Sequence, residues 1–140
     1  MKHSASAKWT GNLKEGAGTV SSQSGALSSL GYSFKSRFED ETGKAGTNPE
    51  ELIAAAHASC FAMQFSAYLA ENGTPGEVSV SSVVEIDAGT IKGSALTVEG
   101  KVPGIDAAKF EELAQKAKAN CPVSKALGAI TVTMTAKLAS

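Results

Sequence analysis

The stretch from Asn48 to Gly73 constrains the fold of this chain more than any other segment. Asn48 can cap a helix, Pro49 suits the first helical position, and Glu51 stands three residues after the cap, where a capping-box carboxylate belongs. Glu50 and Glu51 also complement the positive end of a helix dipole. Asn72-Gly73 supplies the stop. Within these limits Ile53, Ala56, Cys60, Met63 and Ala67 recur at helical spacing, which predicts a buried face with Cys60 at mid-helix. Leu52, Phe61, Phe65 and Tyr68 lie on the other faces. A helix that is apolar nearly all round needs cover on more than one side.

The rest of the chain supplies strands and one amphipathic helix. Short strands are predicted over about Ser4–Trp9, Gly18–Ser22 and Leu30–Phe38. In the third, Tyr32, Phe34, Ser36 and Phe38 would share one face, with Ser33, Lys35 and Arg37 on the other. After the long helix, Val78, Val80 and Val84 mark one strand and Leu96, Val98 and Val102 the next, with turn residues over Asp87–Thr90. Asp106 caps a helix reaching about Asn120, whose buried stripe is Phe110, Leu113, Ala114 and Ala117. The last strand alternates Ile130, Val132, Met134, Ala136 and Leu138 with polar neighbours. Strands precede, separate and follow two helices without regular βαβ alternation, which favours the α+β class.

Composition narrows the function classes. The 140 residues suit one domain, and 42% apolar with 19% charged residues is the balance of an ordinary folded chain. The net charge of −1, with no basic cluster, gives no footprint for nucleic acid or an anionic membrane. No apolar h-region follows Met1, no apolar run is expected to reach the roughly 20 residues of a membrane helix, and the chain reads as cytoplasmic.

Two cysteines are then the main chemical resource. In a reducing compartment such a pair reads either as inert core thiols or as a redox couple. Cys121, in Asn120-Cys121-Pro122-Val123-Ser124, is expected to cap a short helix over about Pro122–Leu127. There it is either a thiolate favoured by free backbone amides or a small apolar cap. Cys60 at mid-helix is expected to have no such amides, so a nucleophilic role would need an outside cation. Arg37, the only arginine, is the best candidate for it, and its alternative is an exposed strand cation. Glu50 could hold that arginine through a bidentate pair or simply serve the helix dipole. Ten helical residues rise about 15 Å, so Glu50 and Cys60 of one chain should not share a site. His57, one turn before Cys60, reads as a satisfied core histidine ahead of a base or metal ligand. His3 reads as incidental, and Gly16-Ala17-Gly18 lacks the helix a phosphate loop needs.

Several segments together resemble the OsmC/Ohr family of organic hydroperoxide reductases. They are Lys8-Trp9-Thr10-Gly11, Gly18-Thr19-Val20-Ser21, Arg37-Phe38-Glu39, Gly46-Thr47-Asn48-Pro49-Glu50-Glu51-Leu52-Ile53 and Ala55-Ala56-His57-Ala58-Ser59-Cys60-Phe61. Val102-Pro103-Gly104-Ile105-Asp106 and Lys116-Ala117-Lys118-Ala119-Asn120-Cys121-Pro122-Val123-Ser124 complete the series in the same order. The resemblance implies a single domain over residues 1–140, with two main helices packed between sheets in an intertwined homodimer whose interface holds two active sites. It implies a cysteine peroxidase that needs no metal, flavin or haem and protects against oxidative stress. By resemblance Cys60 is the peroxidatic thiol and Cys121 the resolving one, joined in a disulfide during turnover. Arg37 stabilises the thiolate and Glu50 holds Arg37 in place, the partner chain completing each site. An external dithiol, of the lipoyl type in related proteins, is the expected reductant. Phe61, Met63 and the aromatic residues of Tyr32–Phe38 suggest a site that favours alkyl or lipid hydroperoxides. A thiol–disulfide exchange protein and a non-enzymatic stress-induced dimer remain the alternatives; the first lacks its usual Cys-x-x-Cys.

Overall fold

The Asn48–Gly73 segment forms the helix that its end signals require. Helix α1 runs Pro49–Glu71 in the computed structural model, which describes residues 1–139. The Asn48 side chain accepts from the Glu51 backbone N–H at 2.8 Å, and the Glu51 carboxylate accepts from the Thr47 hydroxyl at 2.8 Å. At the other end Gly73 adopts a φ of +77°, which lets the Gly73 and Thr74 N–H groups reach back to the Ala70 and Leu69 carbonyls. An 18-residue window of α1 has a mean hydropathy of 1.3, long and apolar enough by composition to cross a membrane. No such run is expected from the sequence, but small residues between the two acidic ends raise the mean. A fully buried histidine, bonded at both ring nitrogens to serines of other elements, marks α1 as a helix packed against protein.

The chain forms two compact units, Met1–Leu52 and Ile53–Ser140, so the boundary falls just inside α1. In the first unit, strands β1 (Ala5–Thr10), β2 (Ala17–Ser22) and β3 (Leu30–Tyr32) make an antiparallel sheet in the order β1-β2-β3. Gly18 sits between Trp9 and Tyr32, whose rings approach to 5.4 Å, and a Cβ at Gly18 would lie 2.4 Å from the Tyr32 ring. Only glycine lets the two aromatic side chains meet over the middle strand.

The predicted strand Leu30–Phe38 is corrected by the structure: pairing stops at Tyr32, and Lys35–Glu39 forms a wide helical turn closed by Asp40 N–H to the Lys35 carbonyl. Ser36 explains the switch. Its hydroxyl accepts from the Ser33 N–H and donates to the Thr47 carbonyl at 2.8 Å, bonds that an extended strand could not make. The Asp40 carboxylate then ties down the next loop by accepting from Thr42, Lys44 and Ala45, and the Thr42 hydroxyl holds its pKa below the ordinary value.

The second unit contains strands β4 (Glu77–Asp87), β5 (Thr90–Lys101) and β6 (Thr131–Ala139) in the order β4-β5-β6. A tight turn through Ala88-Gly89 joins β4 to β5, and β6 lies parallel to β5 after a crossover through α2 (Ala107–Asn120) and α3 (Pro122–Ala126). One face of this sheet takes the core. Phe110, Leu113, Ala114 and Ala117 are the buried stripe of α2, as the sequence predicts. From α1 the buried edge is His57, Phe61, Phe65 and Leu69, which corrects the predicted Ile53–Ala67 face: Ala56 and Ala67 are exposed, and Met63 is 77% exposed. In a helix apolar on every side, periodicity cannot choose the core face. The large side chains choose it, each gaining roughly 2–3 kcal/mol on burial. Phe65 meets the Phe110 ring at 5.0 Å and so joins α1 to α2.

Candidate functional site

Two constellations emerge, each within one unit. In the first, the wide helical turn places Arg37 beside Glu50, on the first turn of α1. Arg37 Nη2 donates to Glu50 Oε1 at 2.8 Å, and Nε donates to Oε1 and Oε2 at 3.1 and 3.2 Å. The forked pair predicted as one of two options is therefore formed. Glu50 is buried and the Arg37 side chain is 35% exposed, which leaves the carboxylate as a fixed anchor and the guanidinium with an open face. Nη1 has no hydrogen-bond partner among the described residues. The guanidinium also lies 5.0 Å from the Phe38 ring centre. Beside it a cleft of about 190 Å³ is lined by Trp9, Leu13, Tyr32, Ser33, Phe34, Arg37 and Phe38.

In the second constellation, Cys60 of α1 and Cys121 at the cap of α3 are unbridged and near enough for one thiol to influence the other. Cys60 is half-buried and Cys121 fully buried in the core. Burial pushes the Cys60 thiol above its ordinary value. The Val123 backbone N–H opposes that shift, while Cys121 adds to it by favouring the neutral thiol and by charge. Here the structure corrects a sequence expectation. The amides of α1 are spent within α1, as expected, but the Val123 amide in the first turn of α3 is near enough to favour the Cys60 thiolate. Sequence placed the free amides of that turn at Cys121 alone, because it could not bring α3 against the middle of α1.

His57, one turn before Cys60, is fully buried. Its Nδ1 lies 2.6 Å from the Ser94 hydroxyl and its Nε2 2.8 Å from the Ser124 hydroxyl, while Ser94 meets Ser82 at 2.8 Å. The sequence reading did not include Ser94. A signal was available: Ser94 occupies an inward position of β5 in line with Leu96 and Val98, where a polar residue needs a partner. Among the described residues, no group of three His, Cys, Asp or Glu side chains is placed to hold a metal ion.

Burial also lowers the His57 pKa. The unfolded chain therefore takes up this proton at about pH 6.5, while the folded chain does so only at lower pH. Stability from neutral His57 is full above that range and falls with pH, by up to about 1.4 kcal/mol per unit between the two values. The melting temperature of the wild-type chain should fall more steeply from pH 7 to pH 5 than that of His57→Gln. Parallel curves would show that His57 does not titrate on unfolding.

Comparisons with known proteins cover much or most of the chain. A family model described as OsmC-like protein matches residues 41–135. Peroxiredoxin OsmC of Escherichia coli (strain K12) is 51% identical over 128 residues, 88% of this chain and 87% of that protein. The organic hydroperoxide resistance protein of Xanthomonas axonopodis pv. citri is 44% identical over 99 residues, 66% of this chain and 68% of that one. Among solved structures, an organic hydroperoxide resistance protein OsmC from Legionella pneumophila superimposes with a TM-score of 0.70 at 26% identity, covering 98% of this chain and 97% of that one.

Proposed function

The chain belongs to the OsmC-like family, and from that membership we propose that it is a thiol peroxidase that reduces organic hydroperoxides through Cys60 and Cys121. The observation that supports this reading is that Cys60 and Cys121 are unbridged and near enough for Cys121 and the Val123 backbone N–H both to act on the Cys60 thiol. Inert core thiols need no such amide. A disulfide requires Cα atoms within about 7 Å, and two thiols near enough to influence each other suit bond formation without unfolding.

The Cys60 thiolate attacks the peroxide oxygen distal to carbon and the O–O bond breaks. The alkoxide takes a proton and leaves as ROH, and Cys60 becomes a sulfenic acid. Cys121 then attacks that sulfur, forming the disulfide and releasing water. An external dithiol, for which a lipoyl-type group is the proposed source, returns both thiols by exchange and leaves as its own disulfide. Such a cycle suits a reducing compartment, and the cytoplasm is the proposed location.

Arg37 is proposed to lower the pKa of a Cys60 thiol that its own chain raises, with Glu50 fixing the guanidinium. A rise of about 1.5 Å per residue separates Glu50 from Cys60 by about 15 Å along α1. We therefore propose a homodimer of single OsmC-like domains, in which the arginine of one copy serves the thiol of the other. Met63, 77% exposed on the apolar helix α1, is a side chain that such a partner would cover. In Arg37→Ala the pH midpoint for alkylation of Cys60 should rise by at least about one unit, a tenfold loss of thiolate near neutrality. A midpoint unmoved by the substitution removes Arg37 from the site.

The cleft beside Arg37 carries Trp9, Tyr32, Phe34 and Phe38, and this aromatic wall supports a preference for apolar peroxides. Phe61, one motive for that preference, is fully buried in the core, so the aromatic cleft now carries the argument. Catalytic efficiency with cumene or tert-butyl hydroperoxide should exceed that with hydrogen peroxide by about tenfold or more. Equal efficiencies would remove the preference.

A further inference from the structure

We infer that His57 is a positioning residue of the proposed peroxidase site, holding the first turn of α3, with Cys121 and the Val123 amide, in its place relative to Cys60 on α1. The inference rests on the reading of Cys60 and Cys121 as the reacting pair. His57 lies three residues before Cys60 on α1, and Ser124 lies three residues after Cys121 on α3. The 2.8 Å contact between His57 Nε2 and Ser124 Oγ therefore fastens together the two segments that carry the sulfurs. On the far side His57 Nδ1 meets Ser94 Oγ at 2.6 Å, and Ser94 Oγ meets Ser82 Oγ at 2.8 Å, which anchors the imidazole to β5 and β4. The ring is fully buried and Ser94 nearly so, so neither side chain can exchange these partners for water.

Helix α3 has only five residues, too few to hold its place by helical bonding alone. Its orientation depends on anchors, and the Ser124–His57 bond is its polar anchor in the core. Val123 and Ser124 are neighbours on this short turn, so a rotation that releases Ser124 also displaces the Val123 amide relative to Cys60. The same rotation moves the Cys121 sulfur from its place for attack on a sulfenic acid. Neither sulfur bonds His57 among the described residues; the imidazole acts through Ser124.

The test compares full-length Ser124→Ala, Ser94→Ala, His57→Phe and His57→Gln with the wild-type chain. For each, the pH midpoint of Cys60 alkylation is read by peptide mass spectrometry, and melting temperatures are recorded alongside. With excess cumene hydroperoxide, the share of Cys60 that becomes disulfide is compared with the share that a second peroxide oxidises to sulfinic acid. Ser124→Ala and His57→Phe should raise the alkylation midpoint and slow disulfide formation by about fivefold, the worth of one ordinary hydrogen bond. Sulfinic acid should then accumulate. His57→Gln, whose amide can still reach Ser124, should recover part of the loss. Ser94→Ala removes a comparable bond on the side away from α3 and should change both readouts by less than about twofold at a similar cost in melting temperature. Equal effects from Ser94→Ala and Ser124→Ala, scaling with melting temperature, would overturn the inference by reducing His57 to a stabilising core residue. The alkylation midpoint needs no peroxide. If the wild-type chain failed to consume hydroperoxide, the peroxidase reading would fall while the placement of the amide by His57 would still be decided.

Discussion

Replacing Cys60 with serine is expected to lower hydroperoxide turnover by at least about a thousandfold while leaving the fold intact. The loss follows from nucleophilicity. A serine hydroxyl at mid-helix has no base within reach among the described residues, because His57, the nearest imidazole in sequence, is committed through both nitrogens to Ser94 and Ser124. The retained fold follows from packing. Cys60 is only half-buried and lies at the margin of a core built on Phe61, Phe65 and Phe110, and serine is close to it in size. Retained turnover in a folded Cys60→Ser chain would move the chemistry away from this thiol.

The second large effect separates the two sulfurs. Cys121→Ser should consume one equivalent of hydroperoxide per chain, release one equivalent of alcohol and then stop, with Cys60 held as sulfenic acid. The hydroxyl that replaces the resolving thiol cannot form the S–S bond, so repeated turnover should fall by about two orders of magnitude or more. The first step should not slow. Cys121 pushes the Cys60 thiol up, both by favouring its neutral form and by charge, so its removal should lower the Cys60 pKa and raise the thiolate fraction near neutral pH. Further peroxide would then carry the stranded sulfenic acid to sulfinic acid. A Cys121→Ser chain that failed at the first equivalent would reverse the assignment of attacking and resolving thiol.

Much of the framework behind these effects is legible in the residues. The caps at Asn48 and Asp106, the stop at Gly73 and the alternation of the last three strands predict elements that form within a residue or two. Local signals suffice there because each is a backbone bond or a turn angle set by neighbours in sequence. The core face of α1 was not legible, since its small and apolar residues surround the helix and leave Phe61, Phe65 and Leu69 to decide by size against β5 and α2. The alternation of Tyr32, Phe34, Ser36 and Phe38 with polar residues predicts a strand through Arg37. The Ser36 bond to Thr47, eleven residues away, makes a helical turn the better solution. The candidate site divides in the same way. Cysteine identity and the cap before Pro122 were readable, whereas the Val123 amide at Cys60 and the His57–Ser124 bond depend on contacts about 65 residues apart in sequence. The roles of the four proposed site residues came from family resemblance.

The central claim is that the two free thiols form one oxidisable pair. Titrating them in the full-length chain before and after one equivalent of cumene hydroperoxide tests it most directly. Both thiols should be lost, one equivalent of cumyl alcohol should appear, and a single disulfide-linked pair of peptides should join Cys60 to Cys121. Two thiols still free beside unconsumed hydroperoxide would contradict it.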